Sequence, residues 1–342
     1  MRTSKALIAV MSAALLLLSL TGCRKELCYD HDHWKSNVVA DWELVWERDY
    51  GMAWEQNWDS PAGYVYDSLR PVPGTGIAVL VYKEDSTYSE RHIGADGGLL
   101  PLGQGLQSML FYNDDTEYII FSGLNSHAEA SASTRTRTRS TYTERHGDES
   151  TVSSPDMLYG SWIEDYEAPG TLDASPVDLA VTMKPLVYSY LVIYEFERGV
   201  EHVKLARGAL AGMAQSVYLQ DGRTGEDKAT ILFEDAVIDQ ERGVVTAVVR
   251  TFGVPNYPDI YYPSKTPEEI EGPFGLNLET MLPDGSIKVF EFDITDQMAK
   301  QPRGGVITVS GLTIDEYEFG GGGGFDVDVD DWGPYEDVEL EF

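Results

Sequence analysis

One cysteine and two histidines near the amino terminus could perform chemistry together. Cys28, His31 and His33 lie within six residues of one another, and thiolate and imidazole groups are ligands that zinc and copper accept. On a β-strand His31 and His33 would share one face, whereas Cys28 would lie on the opposite face. The three groups could converge only through a turn. Two interpretations stay open: a metal site at His31 and His33, or a packing motif without a metal.

A second cysteine, Cys23, follows a segment with the order of a secretory signal. Two basic residues precede an apolar run at residues 6–20, which is shorter than the roughly 20 residues that a membrane-spanning helix needs. The sequence Leu-Thr-Gly-Cys at residues 20–23 resembles a bacterial lipobox, in which the cysteine receives a diacylglycerol, the peptide is cut before it, and the new amino terminus is acylated. Several acyl chains anchor a protein stably. The prediction is a signal peptide at residues 1–22 and a chain held on outer-membrane lipid through Cys23; the alternative is an ordinary signal peptide with an incidental cysteine.

Acidic residues near the carboxyl terminus suggest calcium. Asp326, Asp328 and Asp330 have the spacing of the first ligands of an EF-hand loop. That loop needs glycine at its sixth position and glutamate at its twelfth, and these positions hold Asp331 and Asp337. A solvated acidic strand face is therefore the competing interpretation.

The sequence offers little support for an enzyme. It contains no Gly-x-Ser-x-Gly, His-Glu-x-x-His or Gly-x-x-x-x-Gly-Lys motif. Adjacent acidic residues, such as those at 164–165 and 234–235, would point to opposite faces of a strand. We therefore expect a protein that is not an enzyme and uses no cofactor.

The mature chain that this signal implies is strongly acidic. The whole chain has 25 Lys and Arg against 57 Asp and Glu. Removal of residues 1–22 takes away Arg2 and Lys5 but no acid, which leaves 23 basic residues and a net charge of −34. Such a charge repels nucleic acid, so no nucleic-acid partner is expected. The 42% hydrophobic and 11% aromatic content is too high for a disordered chain.

Most apolar residues recur with a period of two, which indicates half-buried strands. Strands are predicted on this basis at residues 37–46, 77–82, 109–112, 118–121, 187–196, 229–233, 244–252, 275–281 and 287–294. Helical periodicity is scarce: it predicts a short helix at 202–214, which Gly208 and Gly212 weaken, and one turn at 295–300. Many short strands without alternating long helices indicate an all-β protein of antiparallel sandwiches.

Composition also predicts how the chain is organised. About 320 mature residues exceed one core, so two domains are expected, and acidic residues, proline and glycine accumulate at 164–176. The predicted units are a signal peptide, a lipidated tether, an N-terminal sandwich, a C-terminal sandwich, and a glycine hinge with an acidic strand-like tail: residues 1–22, 23–36, 37–168, 170–315 and 320–342.

Several segments together resemble one family of lipoproteins. They are Leu-Cys-Tyr-Asp-His-Asp-His at 27–33, Ala-Asp-Trp at 40–42, Pro-Asp-Met-Leu-Tyr-Gly at 155–160, Gly-Ala-Leu-Ala-Gly-Met-Ala-Gln-Ser at 208–216, Asp-Gln with Gln-Pro-Arg-Gly-Gly-Val at 296–306, and Phe-Asp-Val-Asp-Val-Asp-Asp-Trp-Gly at 325–333. The pattern is similar to the FimB/Mfa-type fimbrial anchors and fimbrillin-like proteins of Gram-negative gut and oral anaerobes. This resemblance, which covers nearly the whole mature chain, implies two tandem transthyretin-like (Greek-key) β-sandwich domains, lipidation at the outer membrane, and a role at the base or surface of a non-flagellar pilus.

The resemblance also implies how such a protein meets its partners. In related fimbriae an extended terminal segment of one subunit fills a groove on the neighbouring sandwich, so fimbrial subunits are expected to bind by strand exchange. The tail of this chain alternates behind five glycines at 320–324, and its apolar positions form the candidate donor strand: Phe325, Val327, Val329, Val338, Leu340 and Phe342. The alternatives are that the tail pairs within its own second domain or stays disordered.

Residues 134–139 alternate threonine and arginine. This alternation predicts an exposed strand whose charges discourage unwanted pairing. Two further interpretations stay open: proteolytic trimming after an arginine, as in related fimbrillins, and contact with the acidic tail of a neighbouring chain.

A lipid-anchored fimbrial anchor or accessory subunit is the principal functional prediction. The alternative is a surface lipoprotein that binds a glycan or a host protein and has no pilus role. It would use a cluster of aromatic residues: Trp54, Trp58, Tyr64 and Tyr66. Core packing is the competing interpretation of such rings, because Trp42 and Trp46 are expected to share one strand face.

Replacement of Cys23 by serine tests the lipid anchor. We expect Cys23→Ser to lose incorporation of an alkyne-tagged palmitate and to move from the detergent phase to the aqueous phase in Triton X-114 partition, because no acyl chain remains to hold it. Cys28→Ser is the matched control and should keep both properties. Equal labelling of the wild type and Cys23→Ser would contradict the lipobox assignment.

Overall fold

The computed structural model describes residues 34–48, 51–84, 87–139, 150–170, 175–257 and 269–318. The strands among them are β1 (Lys35–Trp42), β2 (Gly76–Lys83), β3 (Tyr88–Gly94), β4 (Gly97–Pro101), β5 (Leu106–Asn113), β6 (Ile119–Ser122), β7 (Ser131–Thr134), β8 (Ser150–Ser153), β9 (Tyr159–Glu167), β10 (Val177–Pro185), β11 (Tyr188–Arg198), β12 (Leu205–Ala214), β13 (Ser216–Tyr218), β14 (Lys228–Phe233), β15 (Val237–Asp239), β16 (Val244–Thr251), β17 (Gly275–Met281), β18 (Ile287–Asp293) and β19 (Gly305–Thr313). The helical turns are α1 (Thr295–Met298) and the 3-10 turns Pro61–Gly63, Tyr66–Leu69, Val200–His202 and Glu316–Glu318. The prediction of an all-β protein is confirmed. None of the described helices has the length and apolarity needed to cross a membrane.

The first half of the chain builds a closed barrel of seven strands in the order β1-β10-β9-β5-β2-β3-β4. Alternate residues of each strand point into it; in β2 these are Ile77, Val79 and Val81. The residues between them face outward, where the three-stranded sheet β13-β7-β6 packs against β2 and β5. The prediction of two tandem transthyretin-like antiparallel sandwiches is therefore not confirmed, because this sheet closes on itself and β1 runs parallel to β10.

Gly97 permits the barrel to close. It pairs with Val39 where β4 meets β1, and its φ of +107° lies in a region that side-chain-bearing residues rarely adopt. A Cβ at this position would lie 2.0 Å from the Val38 carbonyl oxygen. The pairing of β1 with β4 that closes the barrel therefore requires a residue without a side chain at position 97.

Two further sheets, β18-β17-β12-β14-β8 and β15-β16-β11-β19, are formed by strands of the second half of the chain together with β8. Their facing residues form one core, which includes Tyr190, Leu210, Ile231, Leu278 and Ile307. Two strand pairs in this sandwich, β8–β14 and β11–β19, are parallel. The antiparallel prediction is therefore corrected here as well.

The predicted helix at 202–214 is wrong, because its main part is strand β12. This strand lies at the centre of its sheet with nearly every residue buried, so its sequence shows no alternation between apolar and polar residues. A Cβ at Gly208 would lie 2.3 Å from the Phe233 ring. The glycine that weakened the helix prediction serves close packing between strands.

Strands from both sides of the predicted boundary near residue 169 share sheets. β10 follows that boundary but belongs to the barrel, whereas β7 and β8 precede it but pair with β13 and β14. The limits 37–168 and 170–315 stay a prediction, and backbone pairing links the two halves across them.

Substitution of Gly97 tests the closure of the barrel. Gly97→Ala should lower the free energy of unfolding by about 2–5 kcal/mol, because it adds a clash with Val38 to the cost of a positive φ. Gly105→Ala is the matched control: its φ is +95°, but a Cβ there would meet nothing within 4 Å, so about 1–2 kcal/mol is expected. Urea titration followed by tryptophan fluorescence measures both. Equal losses would contradict a steric role for Gly97.

Candidate functional site

The site residues predicted from the sequence lie outside the described residues. These are Cys23, His31, His33, Phe325, Val327, Val329, Val338, Leu340 and Phe342. Their roles in lipidation, metal binding and strand donation stay predictions. Among the residues that the structure describes, no group of three or more His, Cys, Asp and Glu side chains is placed to hold a metal ion.

An aromatic strap, residues 46–48 and 51–69, crosses from the barrel onto the sandwich. It covers the outer face of β11 and β16, where its rings pack on Leu191, Ile193 and Val244. Trp46 is fully buried and meets Trp58 edge-on, with ring centroids 5.8 Å apart. One face of the β15-β16-β11-β19 sheet lines the sandwich core, and the strap buries part of its other face.

Of the rings that the sequence offered as a binding surface, Tyr66 is buried, and Trp54, Trp58 and Tyr64 are partly buried against the same core. The Trp58 indole donates to the Tyr64 carbonyl oxygen (2.9 Å), and the Tyr66 hydroxyl donates to Glu47 (2.8 Å). Burial and, after it, the hydrogen bond to Glu47 raise the pKa of Tyr66 well above its ordinary value. The expectation that Trp42 and Trp46 share a strand face is wrong, since β1 ends at Trp42 and the two rings belong to different cores.

Gly304, just before β19, and Gly305, its first residue, leave room for the strap because they carry no side chain. Gly304 has a φ of +83°, and a Cβ there would lie 2.6 Å from the Trp46 carbonyl oxygen. A Cβ at Gly305 would lie 2.1 Å from Gln301 Oε1 and 2.8 Å from Trp54 Nε1. Beside them the buried Arg303 lies over the Tyr257 ring, 5.1 Å from its centroid; its burial and, secondarily, the charge of Arg48 lower its pKa to about 9.

The edge of β19 is capped by two glutamine side chains. Gln301 accepts from the Val306 N–H and donates to the Val306 carbonyl oxygen, both at 2.8 Å. Gln297, on α1, does the same for Thr308, at 3.0 and 2.9 Å. Each amide thus bonds to the backbone as a residue of a neighbouring strand would. The amides thereby occupy backbone groups in the first half of an edge that could otherwise pair with another chain.

The second half of this edge carries no such amide cap, and Ser310 and Gly311 are exposed. The edge strand of the opposite sheet, β18, begins nearby: Lys288 donates to the Thr313 carbonyl oxygen at 2.7 Å and pairs with Glu318. Phe290 of β18 is only half-buried against the sandwich core. A side-chain contact therefore links the two edge strands near the last described residues.

The prediction of an exposed strand at 134–139 is wrong. Only Thr134 belongs to β7, and Thr134 and Arg139 are 4% and 3% exposed. Arg139 donates to the carbonyl oxygens of Gly208 and Phe233, while Arg137 pairs with Glu234 at 2.8 Å. Burial of these guanidiniums follows from the carbonyl and carboxylate partners that the sandwich supplies.

Sequence reasoning assigned no role to the glutamines. Gln297 and Gln301 belong, with the glycines at 304–305, to the segment at 296–306 that carries the family resemblance. Gln297 lies on α1 and Gln301 three residues beyond its end, so helical spacing alone does not identify the pair. Two residues apart on a strand, Val306 and Thr308 offer backbone groups on the same edge.

Comparison with known proteins agrees with the resemblance seen in the motifs. The family model described as a domain of unknown function, DUF5119, matches residues 70–234. The "Putative fimbrium anchoring subunit Fim4B" of Bacteroides ovatus is 22% identical to this chain and aligns over 95% of each protein. The predicted resemblance to fimbrial anchor proteins is confirmed.

One of two solved structures compared with this chain shares its fold. A crystal structure described as a "putative adhesin" from Bacteroides ovatus has a TM-score of 0.55 and 19% identity, and the match covers 86% of this chain and 98% of that one. The fimbrial anchor protein Mfa2 of Porphyromonas gingivalis has a TM-score of 0.40 and 10% identity, over 81% of this chain and 90% of that one. At these identities the first likeness concerns the fold alone, and the second is too weak to add to it.

Replacement of the two glutamines by leucine tests the edge caps. Gln301→Leu should lower the free energy of unfolding by about 2–4 kcal/mol, because it leaves a buried N–H and a buried carbonyl without partners. Gln297→Leu should cost about 1 kcal/mol, since Gln297 and Thr308 are partly exposed and water can replace the amide. Urea denaturation gives both values. Similar, small losses would show that the amides do not hold β19.

Proposed function

We propose that this protein is a lipid-anchored outer-membrane anchor or accessory subunit of a fimbrium, and that it engages pilin by β-strand complementation. The observation that carries the proposal is the pair of edge strands, β18 and the uncapped half of β19, which the Lys288 side chain links near the last described residues. Strand addition needs such an edge, because main-chain hydrogen bonds provide its affinity and alternate side-chain pockets provide its specificity.

The similarity to Fim4B supports this proposal. It extends over 95% of both proteins, so it covers the barrel, the sandwich and the connection between them. The predicted lipid at Cys23 fits the same role, since an anchor has to be held in the membrane while its other end binds the fibre. The leaflet that carries the lipid is not part of the proposal.

The exposure and packing of β18 support this edge as the acceptor. Ile287 at the start of β18 is 40% exposed, and Phe290 meets Phe196 of β11 edge-on at 5.9 Å. An extended segment laid along this side would complete the burial of Phe290 and pair with the backbone near Ser310. The Gln297 and Gln301 amides would confine it to the second half of β19.

Two roles for the tail are compatible with this proposal. Residues 325–342 can be donated to a neighbouring subunit, or can pair within the same molecule. The five glycines at 320–324 span at most about 18 Å when extended. That length lets the tail turn back towards the edge beside Glu318 or leave it.

Deletion of the gene in the native strain, followed by complementation, tests the proposal. Without the protein we expect pili to be shed into the medium, because nothing holds their base. Ser310→Pro should fail to restore attachment, since proline removes an edge N–H and blocks a strand ladder. Ser310→Ala keeps that N–H and is the matched control; it should restore attachment at equal expression.

Two outcomes would contradict this function. Pili that stay attached to the deletion strain would overturn the anchor role. Full restoration by Ser310→Pro would leave the anchor role in place and overturn the β19 edge as the acceptor.

A further inference from the structure

A cavity of about 410 Å³ lies on the outside of the barrel and shares no residue with the β18–β19 edge. Four segments that are distant in sequence form it: the end of β2, the start of β5, the middle of β9 and the turn between β6 and β7. The residues that matter for its chemistry are Tyr82, Ser108, Asn125, Ser126, His127 and Asp165. Aromatic rings and hydrogen-bonding groups thus converge on one concave surface.

Asp165 occupies a conformation that a side chain rarely adopts. Its φ is +48°, and it sits in a β-bulge, where the register of β5 and β9 shifts between Gln107 and Met109. The Asp165 N–H donates to Ser108 Oγ at 3.1 Å. A bulge redirects a side chain out of the regular alternation, and a left-handed non-glycine residue persists only where its surroundings hold it. The barrel therefore holds this carboxylate at the cavity.

The aromatic wall is held in place by ring contacts. His127 stacks on Trp162, with ring centroids 4.7 Å apart and planes 25° apart, and meets Tyr82 edge-on at 5.6 Å. The Tyr82 hydroxyl donates to the Leu124 carbonyl oxygen at 2.8 Å, which fixes the turn that carries His127. The wall is therefore formed before any ligand arrives.

Two ring nitrogens of the His127–Trp162 stack are buried without a hydrogen bond, and of these two residues His127 is the one that lines the cavity. His127 Nδ1 and Trp162 Nε1 have no partner within the ranges that the structure describes. Folded proteins leave few buried polar atoms in this condition, and each one calls for an explanation. Here both belong to the ring stack beside a cavity, next to the strained Asp165.

We propose that this cavity binds a neutral monosaccharide unit of a glycan. The negative face of an aromatic ring attracts the C–H groups of a sugar ring, while carboxylate, hydroxyl and amide groups exchange hydrogen bonds with sugar hydroxyls. Concave sites with aromatic walls and a few convergent polar groups are typical of small-molecule recognition.

The charge at the cavity favours neutral sugars over anionic ones. Lys83, Glu84 and Asp165 all line the cavity, so carboxylates outnumber ammonium groups there, and the whole chain is strongly acidic. An anionic sugar would be repelled. This binding would add to a fimbrial role and does not depend on it.

Binding of methyl glycosides to the full mature chain tests the proposal. Saturation-transfer NMR and calorimetry with methyl glucoside, galactoside, mannoside and N-acetylglucosaminide should show at least one dissociation constant of about 1 mM, a value ordinary for a weak small-ligand site. Glucuronate should bind at least tenfold more weakly. Asp165→Asn should weaken binding at least tenfold, because asparagine tolerates the left-handed conformation and only the charge is lost.

The aromatic wall is tested in the same assay. His127→Ala should also weaken binding at least tenfold, whereas His127→Phe, which keeps a stacked ring, should lose less. Trp54→Ala, in the separate cavity beside the strap, is the control and should bind as the wild type does. Circular dichroism verifies the fold of each variant.

Three results would overturn the proposal. They are no binding of any neutral glycoside at tens of millimolar, binding that Asp165→Asn leaves unchanged, and loss of binding in Trp54→Ala alone, which would place the sugar at the strap. None of them bears on strand exchange, which the attachment of pili tests separately.

Discussion

Packing of the aromatic strap on the outer face of β11 and β16 is the contact on which the rest of the arrangement depends. Removal of a tryptophan such as Trp46 from water is worth about 4–6 kcal/mol of transfer free energy. Because Trp46 occupies this face, Gly304 cannot carry a side chain, and β19 begins directly beneath the strap. The entry of β19 beside β11 in turn places α1 where Gln297 and Gln301 reach its edge. One hydrophobic contact thus fixes the polar caps and, through them, the extent of the open edge.

The positions of the strands could be predicted from the sequence because alternation is a local property. The predicted runs at 77–82, 275–281 and 287–294 coincide with β2, β17 and β18. The partners of those strands could not be predicted in the same way. Closure of the barrel joins β1 to β4 and to β10, which begins 135 residues after Trp42, and only a steric detail, the missing side chain of Gly97, marks the seam. Strand β12 was missed for the opposite reason, since burial on both faces removes alternation.

At the candidate site, too, some features can be predicted from the sequence and others only from the three-dimensional structure. The residues of the site stood in a motif that the sequence displays, but an amide that caps a strand edge is visible only when the helix and the strand are placed together. The aromatic residues at 54–66 left two interpretations open, a binding surface and core packing. The sheet beneath them has an outer face that needs cover, so Tyr66 is buried and the other rings are partly buried against it. Composition identifies groups that can interact, and the topology decides which of them face water.

Charge bears on which strand the proposed edge accepts. Ser310 Oγ donates to Glu195 Oε2 at 2.7 Å, and a Cβ at Gly311 would lie 3.9 Å from Glu197 Oε1. These two carboxylates of β11 would stand near a strand added at the β19 edge, within the screening length of about 8 Å at physiological ionic strength. The tail of this chain alternates aspartates at 326, 328 and 330, and like charges on adjacent strands oppose pairing. A pilin segment with neutral or basic residues at those positions escapes this cost while it makes the same main-chain hydrogen bonds. Affinity at the edge would then come from the backbone, and discrimination between the tail of the same chain and a foreign strand would come from the acidic side chains.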